Sequence, residues 1–287
     1  MAITLGSNIA SLQAQRRLAT ATDSLGKTFE RLSSGQRINR ASDDAAGLAI
    51  ADSLRASQRV ATVAIRNAND GISTIAIADS ALGEIGNVLS RLAELAEQSA
   101  NGVFSTTQRS ALSNEFVALS SEVERIATTT QFNGVTLLSG GSTLTLQVGF
   151  NSGSTSQISF TGVQGTLQAL GLAPIGTSVL TFSIQGGSVD AAQSASRNAL
   201  DAINNAITSL ASTRGTLGAT ESRLQVAINS LTVARENFAS AESRIRDVDV
   251  ASEAAELTRL NILQQAGSAI LAQANQQPSL ALSLLRG

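Results

Sequence analysis

The residue types that most often carry out chemistry in proteins are missing from this sequence. It contains neither His nor Cys. Their absence removes the commonest general base, the thiolate nucleophile, zinc-finger ligand sets, disulfides and the Ser-His-Asp triad. Two carboxylate clusters and one glycine-containing segment remain as candidates for chemistry.

The first cluster is the adjacent pair Asp43 and Asp44, preceded by Ser42. A carboxylate pair can act as general acid and base, but no second type of catalytic group lies nearby in the sequence. Ser followed by acids is also typical of a helix start, where the side chains cap free N–H groups and suit the helix dipole. We expect a long helix from about residue 43, with the acids in capping and polar contacts between subunits.

The second cluster contains Asp247, Asp249 and Glu253. Their spacing suggests calcium, but it lacks the turn glycine and the terminal Glu of an EF-hand loop. Arg244 and Arg246 flank the acids; they would repel a cation and offer ion-pair partners. We therefore expect no metal site here.

The glycine-containing segment, residues 31–39, reads RLSSGQRIN. Gly-rich loops can bind phosphate, but the P-loop pattern GxxxxGK[ST] is absent. The segment is better explained as a helix that ends at Gly35, followed by a polar connector. With the two carboxylate clusters, this predicts no enzyme, no cofactor and no metal.

Charge and hydropathy exclude two further classes of function. The chain has 22 acidic and 20 basic residues, a net charge of −2, and only Phe among its aromatic residues. A nucleic-acid-binding protein normally shows a basic surface. Apolar runs are only a few residues long, so we expect no membrane insertion, and no Sec-type signal opens the chain. By default this would predict a cytoplasmic protein.

Helical periodicity is strongest near the C-terminus, where every seventh residue from 203 to 245 is apolar. The row consists of Ile203, Leu210, Leu217, Leu224, Leu231, Phe238 and Ile245. A second row, three positions earlier, is half charged and includes Arg214, Glu221, Arg235 and Glu242, which suits a charge ladder. This predicts one long helix that needs partner helices.

Two other segments repeat the three- and four-residue spacing of an amphipathic helix. The first stripe is Ile75, Ala78, Leu82, Ile85, Leu89, Leu92 and Ala96, and the second is Leu112, Phe116, Leu119, Val123 and Ile126. Asn101-Gly102 predicts a break between these helices, and Asn133-Gly134 predicts a turn after the second.

Between Ile126 and Val189 the composition changes, with no charged residue and 11 of the 23 glycines. Apolar residues alternate with others over residues 144–150 and again over 180–184, as in half-buried strands. We expect a small β-hairpin insertion at about 135–188 on the outer face, with few long-range contacts. Replacement of Gly153–Thr155 by a polar tag should therefore be tolerated.

The two ends carry thin apolar stripes on otherwise Ala-, Gln-, Asn- and Ser-rich segments. The stripes are Leu18, Leu25, Phe29 and Leu32 near one end and Leu257, Leu260, Leu263 and Ile270 near the other. Neither can bury itself alone, so both ends need another surface to fold against. The predicted fold is mainly α: a long antiparallel helical coiled-coil bundle with a small β-hairpin insertion.

Several motifs, in the same order along the chain, resemble those of bacterial flagellin. They are LSSGQRINRASDDAAGLAIADSLRA from Leu32, RNANDGIS from Arg66, TQFNGV from Thr130, SRIRDVDVASE from Ser243 and ILQQAGSAILAQANQ from Ile262. The resemblance covers about residues 1–140 and 190–287.

The resemblance implies a structural protein that polymerises into the flagellar filament for motility. It implies a terminal domain, 1–42 with 248–287, lining the filament core, and a helical bundle domain, 43–247. Filament assembly would use the eight stripe residues of the ends together with Arg37, Asp43, Asp44, Arg244, Asp247 and Asp249. Export through the flagellar type III apparatus would make the chain a secreted, extracellular protein without a Sec signal.

The resemblance also implies partners beyond the homopolymer. These are the export apparatus and its flagellin chaperone, the filament cap and hook-junction proteins, and the host Toll-like receptor for flagellin. The segment LSRLAELAEQS from Leu89 resembles the receptor-binding segment of many flagellins, and Arg91, Leu95 and Glu115 occupy the matching positions.

Two other classes of protein stay open at the level of sequence. A hook-filament junction protein resembles flagellin at both ends, but would cap or join filaments. A helical export chaperone or binding module is the alternative outside the filament, although the charge-free insertion and the thin terminal stripes disfavour it.

Overall fold

The computed structural model describes residues 8–140, 143–160 and 163–286, with side chains as far as residue 276. The described elements are α1 (Ile9–Ser34), α2 (Ala45–Ala100), α3 (Thr106–Thr129), β1 (Gln131–Phe132), β2 (Val135–Thr136), β3 (Leu144–Gln147), β4 (Gln157–Phe160), α4 (Val189–Arg246) and α5 (Val250–Arg286). The predicted class, a mainly helical bundle with a small β insertion, is confirmed.

The chain forms two compact units. The terminal unit comprises the residues up to Gln58 and from Glu236 onward, and the central unit is Arg59–Arg235. The boundaries expected from the sequence, at residues 42 and 248, stay a prediction. The outermost residues of that predicted terminal domain, 1–7 and 287, lie outside the described residues.

The core of the central unit is built from the stripes that the sequence predicts. Ile75, Ala78, Leu82, Ile85, Leu89, Leu92 and Ala96 of α2 are all at most 1% exposed. Phe116 and Val123 of α3 and the α4 row from Ile203 to Leu224 join the same cluster. Leu231 is also buried, whereas Phe238 and Ile245 are half-buried. The seven-residue periodicity thus marks a real buried face.

The helix starts follow capping chemistry, with one correction. The Asp44 carboxylate accepts the N–H of Gly47 (2.9 Å), which makes Asp44, rather than Ser42, the cap of α2. Ser105 and Gln108 form a reciprocal capping box at the start of α3. The break at Asn101-Gly102 is present, because α2 ends at Ala100 and α3 begins at Thr106.

The insertion contains two short antiparallel pairs. Asn133 and Gly134, with φ of 49° and 80°, form the tight turn between β1 and β2. In the second pair, β3 is joined by β4, with Leu144 opposite Phe160. The prediction of a strand over residues 180–184 is wrong. The Ile184 carbonyl accepts the hydroxyls of Ser99 (2.8 Å) and Ser196 (3.4 Å), so this segment bonds to helices.

The expectation that the insertion makes few long-range contacts is also wrong. Many of its apolar residues belong to the same core as the helices: Leu137, Leu138, Val148, Ile158, Phe160, Val163, Leu167, Leu170, Leu172, Ala173 and Ile184. Glu124 of α3 accepts the N–H of Leu167 (3.0 Å), which holds the loop on the bundle. The insertion lacks charged residues because many of its side chains are buried in the core. Gly153–Thr155 are exposed, and their tolerance of a tag stays a prediction.

Among the described residues, α2 is the one helix whose length and hydropathy would allow it to cross a membrane. One third of the residues in its most apolar window are buried. A core helix of a bundle has the same properties, because its apolar stripe faces its partners. The expectation of no membrane insertion stays a prediction.

Leu167→Ala should destabilise the central unit by about 2 to 5 kcal/mol, because Leu167 is fully buried and its truncation leaves a cavity in the shared core. Val179→Ala is the matched control in the same insertion; Val179 is 71% exposed and should change stability little. Denaturant unfolding of both variants measures the difference. Equal stabilities would mean that the insertion does not contribute to the core.

Candidate assembly site

Helices α1 and α5 pack against each other in the terminal unit. Near the start of α1, Asn8 donates its side-chain amide to the carbonyl of Ala274 (2.8 Å), and the Ser11 hydroxyl contacts Asn275 Oδ1 (2.8 Å). Further along, Leu18 lies over Gly267, where a Cβ would come within 3.3 Å of Leu18 Cδ1. Polar contacts and one close approach at a glycine hold the pair together.

The predicted apolar stripes divide between the inside and the outside of this pair. Leu260 is 4% exposed and is buried within the terminal unit, and its assignment to assembly stays a prediction. Leu18, Leu25, Leu32 and Leu257 are half-buried. Phe29, Leu263 and Ile270 are exposed by 66%, 46% and 61%. The last three remain available to another molecule.

Other large apolar side chains extend this exposed surface. Ile9 and Leu12 on α1, and Val250 and Ile262 on α5, are each close to 60% exposed. A groove of about 480 Å³, lined in part by Leu18, Leu263 and Ile270, runs between the two helices. We call the exposed apolar residues Ile9, Leu12, Phe29, Val250, Ile262, Leu263 and Ile270 the apolar terminal face.

The charged motifs lie at two helix ends, directly after α1 and directly after α4. Gly35, with φ of 71°, ends α1, and Gln36 pairs with Asp247 in an isolated antiparallel bridge. The Arg37 N–H donates to the Arg246 carbonyl (2.6 Å), and the Arg37 guanidinium donates to the carbonyl of Ile245 (2.7 Å). Hydrogen bonds to the backbone thus join the segment after α1 to the end of α4.

The guanidinium of Arg246 adds side-chain contacts to the backbone bridge between Gln36 and Asp247. Its Nε donates to Gln36 Oε1 (3.0 Å), and its Nη1 lies 3.5 Å from the carboxylate of Asp52. Arg244 is exposed beside it. Gln36 and Asp52 are contacts of Arg246 that sequence reasoning missed, because each is separated from it by some two hundred residues of chain.

Three of the four aspartates in these motifs accept hydrogen bonds from backbone N–H groups. Asp43 accepts the N–H of Arg40 (3.0 Å) and of Asn39 (3.2 Å), while Asp44 caps α2. Asp249 accepts the N–H of Ala251 (3.0 Å) at the start of α5. The N–H groups of Arg40 and Asn39 lower the pKa of Asp43. Among the described residues, no group of three potential ligands is placed to hold a metal ion.

The three residues matched to a receptor site are not all at the surface. Arg91 donates through Nε (3.0 Å) and Nη2 (2.8 Å) to Glu115, and through Nη1 (2.8 Å) to Glu94. The carboxylates of Glu94 and Glu115, which accept these hydrogen bonds, raise the pKa of Arg91. Leu95 is fully buried in this fold, and its assignment to the receptor site stays a prediction. Glu94 is the surface neighbour that was missed.

Comparison with known proteins identifies both ends of the chain. The family model of the bacterial flagellin N-terminal helical region matches residues 5–143, and that of the C-terminal helical region matches residues 200–285. The chain belongs to the bacterial flagellin family. As a flagellin, it is a structural subunit of the bacterial flagellar filament, which is extracellular.

Individual relatives match nearly the full length. This flagellin is 44% identical over 280 residues to the flagellin of Halalkalibacterium halodurans, covering 97% of this chain and 98% of the relative. It is 39% identical over 301 residues to the flagellin of Bacillus subtilis strain 168, with the same coverage. A solved structure of a flagellar hook-associated protein from Vibrio parahaemolyticus shares the fold, with a TM-score of 0.58 and 13% identity, over 71% of this chain and 100% of that chain.

Asp43→Asn should destabilise the terminal unit at neutral pH, because an amide accepts the two N–H groups less strongly than a carboxylate does. Folding lowers the pKa of Asp43 below its ordinary value of 3.8. The stabilisation is therefore fully present above that value and is lost as the pH falls through the lower folded-state pKa. Free energies of unfolding of both proteins across the acid range measure this. A difference that persists unchanged in acid would contradict the charge-based role.

Proposed function

We propose that the subunit enters the filament by burying the apolar terminal face between neighbouring subunits. The observation that carries this proposal is the exposure of seven large apolar side chains on a pair of helices with a groove between them. Large exposed apolar side chains gathered on one pair of helices favour an interaction site.

An open polymer requires that one surface of a subunit match a different surface on the next, with a rotation that does not close a ring. The two helices offer different apolar surfaces, with Phe29 on α1 and Ile262 and Ile270 on α5. The net charge of −2 keeps stacked subunits from repelling one another strongly. Both properties favour propagation along the filament.

The alternative, a hook-filament junction protein, shares this architecture and would cap or join. The likeness to a hook-associated protein is one of fold alone, at 13% identity. Near full-length matches to flagellins at 39% and 44% identity favour a propagating subunit. Electron microscopy distinguishes the two, because only a propagating subunit gives long filaments from purified protein or from seeds.

The apolar terminal face also supports contacts with other flagellar proteins before assembly. A monomer with this apolar surface needs it covered, which is the task of a flagellin chaperone in the cytoplasm. Export through the flagellar type III apparatus would then deliver the chain to the filament cap, beyond the hook-junction proteins.

Phe29→Ser should raise the critical concentration for polymerisation by about tenfold to a hundredfold, because burying a Phe side chain is worth about 1.5 to 3 kcal/mol. Ile175→Ser is the matched control; Ile175 is 92% exposed, lies in the insertion and should leave assembly unchanged. Sedimentation of seeded protein at a series of concentrations measures both. A Phe29→Ser variant that assembles like the unmodified protein would contradict the role of the apolar terminal face.

The host Toll-like receptor for flagellin is a proposed partner of the surface formed by Arg91, Glu94 and Glu115. The guanidinium of Arg91 is held by the carboxylates of Glu94 and Glu115, and its side chain is 48% exposed. An exposed, fixed guanidinium is suited to paired hydrogen bonds with a protein partner. The buried Leu95 supports the helix beneath it.

Arg91→Ala should reduce receptor signalling by about tenfold or more, as expected for loss of an arginine hot spot. Arg214→Ala is the matched control. Arg214 contacts Asp79 through Nε (2.7 Å) and Nη2 (3.1 Å) and is 45% exposed, so it resembles Arg91 in geometry and exposure. A reporter-cell assay with monomeric protein compares them. Equal losses in the two variants, or none in either, would count against this surface.

A further inference from the structure

The turn between α2 and α3 contains an Asn-Gly dipeptide, Asn101-Gly102, whose residues are exposed. In such a pair the backbone nitrogen of Gly can attack the Asn side-chain amide, because Gly has no Cβ to obstruct the approach. We propose that Asn101 is a site of spontaneous deamidation and that Arg109 directs the product towards isoaspartate. Water is the only co-reactant.

The first step is ring closure, and the turn supplies a donor for it. The Gly102 nitrogen attacks Asn101 Cγ, and its proton passes to solvent. The side-chain oxygen, Oδ1, then carries the negative charge of the tetrahedral intermediate. The Val103 N–H already donates to this oxygen (3.2 Å), so it stabilises that charge where it develops. Ammonia leaves, and a succinimide ring joins Asn101 to Gly102.

The second step is hydrolysis of the ring, which has two outcomes. Attack by water at Cγ regenerates a normal backbone with Asp at position 101. Attack at the former backbone carbonyl breaks its bond to the Gly102 nitrogen, so the backbone now runs through Cγ and a free α-carboxylate remains. Overall one water is consumed and one ammonia released, without oxidation or reduction.

Arg109 lies on the oxygen that decides between these outcomes. Its Nη2 donates to the backbone carbonyl oxygen of Asn101 (2.8 Å), which becomes the oxyanion when water attacks that carbon. The same oxygen then belongs to the α-carboxylate of isoaspartate. The guanidinium therefore stabilises both the intermediate and the product of the second route.

The surroundings of Arg109 add to this preference. The side chain is 1% exposed, and its other hydrogen bond is to the carbonyl of Val189 (3.3 Å). Its Nε has no partner among the described residues. A buried cation that contacts neutral carbonyls gains a charge partner when one of them becomes a carboxylate.

The chain contains a second Asn-Gly pair, Asn133-Gly134, which serves as an internal comparison. It is held in the tight turn between β1 and β2, where Phe132 pairs with Val135. Within the part of the chain that the structure describes, no hydrogen bond reaches the Asn133 side-chain oxygen comparable to the one that Val103 makes to Asn101. Folding should therefore speed the reaction at Asn101 relative to Asn133.

The test is to age the full-length monomer at mildly alkaline pH, once folded and once in denaturant, and to quantify Asp and isoaspartate at both sites by peptide mass spectrometry. In the folded protein Asn101 should react about tenfold faster than Asn133. In denaturant the two rates should be similar, and the isoaspartate share at position 101 should be lower than in the folded protein. Equal rates at the two sites in the folded protein would overturn the proposed site. An isoaspartate share unaffected by folding would overturn the role of Arg109.

Val103→Pro and Val103→Ala form a matched pair of variants. The proline removes the N–H that donates to Asn101 Oδ1, whereas the alanine keeps it, and Val103 is 80% exposed. Deamidation at Asn101 should slow about tenfold in Val103→Pro only. Thermal unfolding checks that both variants are folded. Equal rates in the two variants would exclude the oxyanion role of this N–H.

Discussion

The constraint on which this subunit depends is that α1 and α5 cannot bury all of their apolar side chains against each other. Each helix carries a thin stripe, and a pair of helices covers only the residues on the facing sides. Leu260 is enclosed, whereas Phe29 and Ile270 stay more than 60% exposed. The pair therefore leaves apolar side chains exposed, and the proposed filament contact would complete their burial.

Because the apolar contacts of the terminal unit are few, hydrogen bonds fix the point where the helices break. The bridge between Gln36 and Asp247, the guanidinium of Arg37 and the caps at Asp44 and Asp249 are all directed at backbone groups. Such bonds are directional, so they set register where apolar packing alone would permit sliding. The charged motifs that looked like candidate catalytic clusters are thereby explained as connectors.

Most of the helical architecture could be predicted, because three- and four-residue spacing records which side of a helix is buried. The same spacing places Leu95 in the core, three residues after Leu92, so its burial was readable from the sequence. The sequence pattern over residues 180–184, which predicted a strand, does not allow the same inference. Two-residue alternation records one-sided burial, and it does not reveal whether the backbone bonds to a strand or, as at Ile184, to serine hydroxyls of helices.

The insertion shows how composition alone misleads about position. A glycine-rich segment without charge looks like an exposed loop, yet it contributes residues such as Leu138 and Leu167 to the core of the central unit. Two sets of apolar residues are thus separated in the chain. Stability is concentrated in the central unit, where the stripes of α2, α3 and α4 and the insertion share one core. The exposed apolar side chains that the proposed filament contact would bury, such as Phe29 and Ile270, lie in the terminal unit. The residues that stabilise the central unit are therefore not those that the proposed filament contact would bury.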